Sequence, residues 1–149
     1  MRILPSLVAS ALLLGACFQD STPQHSSFLP LDYQSTFPTV RDCRLVAGHQ
    51  NSYEKVLVNP TANEAYLAPS FPLPEGSVVV AEQHSEPSCG SLVGYLLMAK
   101  QKPSYDSNAA DWRWQKLDLN QRIEQDGKLQ SCSSCHAKCL PADYVCSPP

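Results

Sequence analysis

Near its C-terminus the chain sets three cysteines and a histidine within nine residues, "SCSSCHAKC" at 131–139. No other feature limits the fold as much, because each of those sulfurs must be bonded, ligated or buried. The core of the segment, Cys132-Ser133-Ser134-Cys135-His136, has the C-x-x-C-H spacing of covalent haem attachment. On one helical turn two thiols three residues apart share a side and can form thioethers with two vinyl groups. The adjacent imidazole can then reach the iron. Other readings of the same residues remain open: a thioredoxin-like dithiol, a zinc site of Cys132, Cys135, His136 and Cys139, or plain disulfides.

The compartment bears on that choice. Seven cysteines in 149 residues fit an oxidising environment better than the cytosol. The N-terminus agrees, with Arg2, an apolar stretch over residues 7–14, then Leu14-Gly15-Ala16-Cys17. That stretch is too short to span a bilayer as a helix and reads as a bacterial export signal. Cys17 directly after Leu-Gly-Ala resembles a lipobox, so residues 1–16 are expected to be removed and Cys17 lipidated. The protein is then periplasmic and anchored to a membrane through that lipid. Residues 17–30 have no hydrophobic period and read as a flexible tether, with His25 solvated within it. Residues 31–149 make one folded domain.

In that domain the pattern is of short strands and turns. Strands are expected at 43–50, 53–59, 77–83, 92–101 and 111–119, where β-branched and aromatic residues recur. Along the last of these, Trp112, Trp114 and Lys116 fall on one face, with Arg113, Gln115 and Leu117 on the other. Asn59-Pro60 opens a short helix as N-cap and first helical residue. Ser131 is the expected N-cap of a helix carrying the cysteine–histidine cluster. Thirteen prolines, roughly double the usual share of about 5%, favour short elements over a helical bundle. The expected class is α+β: mainly antiparallel β-sheet with a few short helices and a C-terminal C-x-x-C-H helix that binds haem. A net charge of −3 without a basic run excludes a nucleic-acid binder.

Haem attachment takes place outside the cytoplasmic membrane, in keeping with the export signal. A thioredoxin-like dithiol would follow a buried strand, and "QDGKLQS" is not one. The zinc ligands crowd too closely for paired knuckles, and disulfides alone leave His136 idle. Setting aside Cys17, Cys132 and Cys135 leaves Cys43, Cys89, Cys139 and Cys146, an even number that suits two disulfides with three pairings open. Cys43 with Cys89, and Cys139 with Cys146, is the pairing expected.

In order and spacing the chain resembles the cytochrome P-460 family and its relative cytochrome c′-beta over residues 33–146. "KVLVNPTANEAY" is similar to the family's strand, Asn/Asp-Pro turn and helix, and "LPEGSVVVAE" to its glycine turn and strand. "LLMAKQKPSY" and "DWRWQKL" resemble its paired strands, and "CSSCH" with Asp143-Tyr144-Val145 its haem motif and trailing Asp-x-Val. The resemblance implies an antiparallel sheet with a few helices, a homodimer, and one covalently attached haem c. It also implies His136 as proximal ligand and an apolar distal side. Members bind nitric oxide or oxidise hydroxylamine, and the oxidising members cross-link a lysine to the porphyrin. The cross-linking position falls on Ala81, which cannot form that bond, and the nearest lysines, Lys55 and Lys100, lie on other strands. Cys146 stands where the family tends to have an aromatic residue.

The expected function is therefore an exported haem c protein with five-coordinate iron that binds nitric oxide or a related small nitrogen species. Hydroxylamine oxidation is in doubt, so no catalytic residue is assigned. Alternatives are a six-coordinate electron-transfer cytochrome, acting with a redox partner protein, and a haem-free disulfide-stabilised lipoprotein. A sixth ligand would come from Met98, His49 or His84, with Met98 better read as core and the histidines as exposed. Trp112 and Trp114 read as core or as pocket walls. Glu82, Arg113 and Lys138 are the polar groups expected near the haem, and a cation at Lys138 cannot accept a proton at neutral pH.

Overall fold

Alternation along the strands decides the architecture, because successive side chains point to opposite faces. The computed structural model describes residues 26–68 and 70–147. Its strands are Thr39–Val46 (β1), Ser52–Val58 (β2), Val78–His84 (β3), Leu92–Lys100 (β4), Trp112–Leu117 (β5) and Ile123–Gly127 (β6). They pair in chain order as one antiparallel sheet. Short helices Tyr33–Thr36 (α1), Pro60–Leu67 (α2) and Gln130–His136 (α3) complete the α+β fold. None of the described helices is long and apolar enough to cross a membrane. The export signal, Cys17 and His25 lie outside the described residues.

Register sorts the side chains into two sets. Val56 pairs with Ala81, Ala81 with Leu96, and Leu96 with Lys116, so these four share a face. Val58, Val79, Met98 and Trp114 form the next row on that face. The opposite face carries Leu57, Val80, Leu97 and Gln115, then Lys55, Glu82, Tyr95 and Leu117. Two apolar clusters result, one on each face. Trp112, Trp114 and Lys116 do share a face, as their alternation implies.

Segments 26–38 cover the second face. Leu29, Tyr33 and Phe37 are buried there, and the Phe28 amide donates to Gln115 Oε1 at 2.9 Å. Residues 26–30 are thus packed against the sheet, and the folded region begins before residue 31. The tether reading failed at this point because isolated apolar residues, Phe28 and Leu29, carry no period.

The first face is covered at one end by α2 and the C-terminal residues. Asn59 caps α2, accepting from the Ala62 amide at 3.1 Å and the Val78 amide at 3.0 Å. It also donates to the Gly76 carbonyl at 2.8 Å. Gly76 occupies the left-handed position of the turn into β3, with φ +83°, where only glycine sits without strain. One residue therefore locks the helix start to the glycine turn.

Three elements depart most from expectation. The first strand is Thr39–Val46 rather than 43–50, because Gln50 and Asn51 both take positive φ and turn the chain after residues 47–49. β6 carries no apolar alternation; its pairing of Leu117 with Ile123 and the Arg113–Asp126 ion pair define it as a polar edge strand. Helix α3 starts two residues early, with Leu129 rather than Ser131 at the N-cap and no side-chain cap. Leu129 packs on the first-face cluster, so apolar anchoring rather than the Ser131 hydroxyl sets the start.

Candidate functional site

On the uncovered end of the first face, Ala81, Gln83, Leu96 and Lys116 are only half-buried although they sit mid-sheet. They form the floor of a cleft of about 700 Å³. Cys132, Cys135 and His136 of α3 make one wall, and Gly48, His49 and Gln50 of the β1–β2 connection contribute to the lining as well. That volume lies within the roughly 300–1,000 Å³ of small-molecule sites.

Cys132 and Cys135 fall three apart on α3, one turn of the helix, and their thiols are unpaired. The other four described cysteines are bonded, Cys43 to Cys89 and Cys139 to Cys146. Burial pushes the Cys132 thiol up, the reverse of the lowered value that activates a redox dithiol. Cys139, held by Cys146, is not free to be a fourth zinc ligand. Among the described residues no three His, Cys, Asp or Glu gather as a metal site.

His136 is aimed by its backbone surroundings. Its Nδ1 lies 2.7 Å from the Tyr144 carbonyl oxygen, which can only accept, so Nδ1 carries the hydrogen. The Nε2 lone pair is left for a metal, the tautomer a ligating imidazole needs. Burial lowers the affinity of His136 for a second proton, and the Tyr144 hydrogen bond opposes this only in part. Trp114 meets the imidazole edge-on, with ring centres 4.8 Å apart.

The carbonyl that aims His136 is itself held in place. Asp143 and Tyr144 have φ of +52° and +67°, a left-handed pair that costs non-glycine residues about 1–2 kcal/mol each. Three contacts sustain it. Lys100 Nζ bonds both Asp143 carboxylate oxygens, at 2.6 and 2.8 Å, and the Leu73 amide donates to Oδ2 at 2.9 Å. Trp112 Nε1 donates to the Asp143 carbonyl at 2.8 Å. The Cys139–Cys146 bond closes the loop around both residues.

The structure separates the remaining candidates. Ala81 is on the cleft floor. Lys55 points to the opposite face, toward Glu82, and Lys100 is bound to Asp143. Lys116, not singled out as a site residue from the sequence, is the lysine lining the cleft, with its amine 2.9 Å from Glu124. Met98 is a core residue that also borders the cleft. Trp112 is fully buried, whereas Trp114 serves both core and wall.

Four expectations are corrected. Glu82 lies on the opposite face, where it accepts from Tyr33 Oη at 2.6 Å. Arg113 also faces away, paired with Asp126 and set over the Phe28 ring. Lys138 is exposed outside the cleft lining. His84 is buried beside Glu82 rather than exposed, and is not a cleft residue. His49 alone of the two alternative histidines lines the cleft, half-buried, its Nδ1 2.6 Å from Glu54 Oε1.

The donor set fits a haem: two unbonded thiols on one helical turn, a neutral imidazole with its far nitrogen free, and a partly apolar floor. A family model described as cytochrome P460 matches residues 30–147. No curated protein sequence matches the chain.

Proposed function

The chain belongs to the cytochrome P460 family, a family of haem proteins, and on that premise we propose that it is an exported haem c protein that binds nitric oxide. In this reading Cys132 and Cys135 carry one covalently attached porphyrin and His136 Nε2 is the proximal ligand. The sixth position is open to nitric oxide or a related small nitrogen species. The observation that carries it is the His136 Nδ1–Tyr144 hydrogen bond beside two unpaired thiols.

When bound, the haem supplies a metal with an exchangeable coordination position. The chain's own residues do the rest. Tyr144 and Trp114 orient the imidazole, and Asp143 keeps the Tyr144 carbonyl in place. Ala81, Leu96 and Val56 offer the apolar part of the floor, which favours an uncharged diatomic over water. Ala81 has no amine to attach to the porphyrin, so turnover of hydroxylamine is not part of the proposal. Lipid anchoring at Cys17, periplasmic location and a homodimeric state complete the reading and rest on the sequence and the family resemblance.

The test is the absorption spectrum of protein matured in a host with haem-attachment machinery. A high-spin spectrum that shifts on adding nitric oxide is expected. A sharp low-spin α band indifferent to nitric oxide would make it an electron carrier instead.

A further inference from the structure

Tyr33 differs from the other tyrosines in what receives its hydroxyl hydrogen. Tyr66 donates to the Ser147 carbonyl and Tyr144 to the Asn108 carbonyl, and neither amide oxygen is a base at neutral pH. The Tyr33 hydroxyl instead donates to Glu82 Oε1 at 2.6 Å, the one bond from a tyrosine to a carboxylate among the described residues. Both partners are buried, Tyr33 to 2% exposure. Helix α1 carries the phenol and β3 the carboxylate, 49 residues apart, so tertiary packing alone brings them together.

The surroundings suit a phenol that loses its hydrogen. With that hydrogen committed to Glu82, Tyr95 Oη and Gln34 Nε2, each 3.4 Å away, meet the Tyr33 oxygen as donors. The Tyr95 ring stands edge-on to the Tyr33 ring, with centres 5.8 Å apart. Around the other Glu82 oxygen lie His84 Nε2 at 3.6 Å and Lys55 Nζ at 4.0 Å. His84 is buried with neither ring nitrogen hydrogen-bonded, a second proton holder behind the carboxylate. Glu82 and Tyr95 are chain neighbours of Ala81 and Leu96 on the cleft floor, so a single sheet separates the phenol from the cleft.

Removing an electron from a phenol makes its O–H strongly acidic, so a buried tyrosine is oxidised readily only where a base touches it. We propose that Tyr33 is a redox-active tyrosine, giving one electron to strong one-electron oxidants while Glu82 takes its proton. In the step the Tyr33 O–H bond breaks, the proton passes to Glu82 Oε1, one electron goes to the oxidant, and a neutral phenoxyl radical remains. Nitrogen dioxide radical, which forms from nitric oxide in air, is such an oxidant and leaves as nitrite. No charge is created in the interior, because the carboxylate becomes a neutral acid. The site draws an oxidising equivalent off the cleft face and holds it where solvent does not reach. It needs no cofactor, and stands or falls apart from the nitric-oxide reading.

The probe oxidant is photogenerated tris(bipyridine)ruthenium(III), applied to the full-length chain carrying Cys132→Ser and Cys135→Ser. That background removes two competing thiols and any attached porphyrin. Freeze-quench EPR should show a neutral tyrosyl radical, lost for the most part in Tyr33→Phe and retained in Tyr66→Phe. Glu82→Gln keeps a hydrogen-bond acceptor but no base, and transient absorbance should show its radical forming about a hundredfold more slowly. Both substitutions preserve side-chain size, and the variants are compared at a temperature where their circular dichroism matches that of the background chain. A background chain without a tyrosyl signal, or an undiminished signal in Tyr33→Phe, overturns the proposal. So does radical formation in Glu82→Gln at the unaltered rate, which would leave Glu82 a structural partner only.

Discussion

Asp143 is the residue on which the site's geometry most depends. Its carboxylate neutralises Lys100, satisfies the Leu73 amide and secures the turn whose next carbonyl aims His136. Breaking a buried pair from one side typically costs about 3–5 kcal/mol, because the remaining charge has no partner. Asp143→Ala should lower unfolding stability by about that amount in denaturant titration, and Lys100→Met in the same background should restore part of it. On the other face, burial and the Glu82 hydrogen bond push the Tyr33 hydroxyl far above its ordinary value. Unfolded, Tyr33 ionises near pH 10 while the folded form holds its proton, so its stabilising contribution is intact below pH 10 and declines above it. Tyr33→Phe should therefore flatten the loss of stability measured between pH 10 and 11. Glu82 shows what was legible at this scale. Placing Ala81 in the cleft already puts its neighbour Glu82 on the opposite face, and the same period-2 rule sends Arg113 away once Trp114 is a wall. His49 was named only as a possible sixth ligand and read as exposed; its place in the cleft lining was not legible. Its position depends on a turn meeting a helix more than eighty residues later, and no local pattern records such a meeting.

At the scale of elements, the two disulfides have separable tasks. Cys43–Cys89 closes a separation of 46 residues and ties β1 to the β3–β4 turn, and neither cysteine lines the cleft. Cys139–Cys146 closes only seven and encloses the turn behind His136. Loop-closure entropy assigns about 4 kcal/mol to the first and about 2.5 kcal/mol to the second. Cys43→Ser with Cys89→Ser should therefore depress the melting temperature more, while Cys139→Ser with Cys146→Ser should disturb the haem spectrum more. Equal spectral effects would show that the small loop has no special role in aiming the imidazole. Strands β2 to β5 were readable because each alternates or is continuously apolar. β6 was not, since an edge strand with one solvated side gains little from alternation, and its partner Arg113–Asp126 is a tertiary fact. The start of α3 was misplaced by two residues because a hydroxyl cap is a local signal, whereas Leu129 anchors the helix by packing on the distant Trp114 face.

At the scale of the molecule, one sheet performs two jobs. Its second face is sealed by the N-terminal segment and by the Tyr33–Glu82 contact, which gives the domain a core independent of any cofactor. The first face is sealed at one end only, and the open end is floored with Ala81 and Leu96 beside three potential haem-binding side chains. Fold class was legible from strand spacing, and the C-x-x-C-H spacing stands in five consecutive residues. The cleft was not, because it is the part of a face that nothing covers, and only the register of four strands together with α3 defines it. The central claim, that Cys132 and Cys135 hold a porphyrin, is tested most directly by the intact mass of exported protein after extraction with acidified acetone. The predicted result is a mass increased by one haem, retained through extraction and mapped to the peptide spanning 132–136. A chain without added tetrapyrrole, or one whose Cys132 and Cys135 are joined to each other, would contradict it.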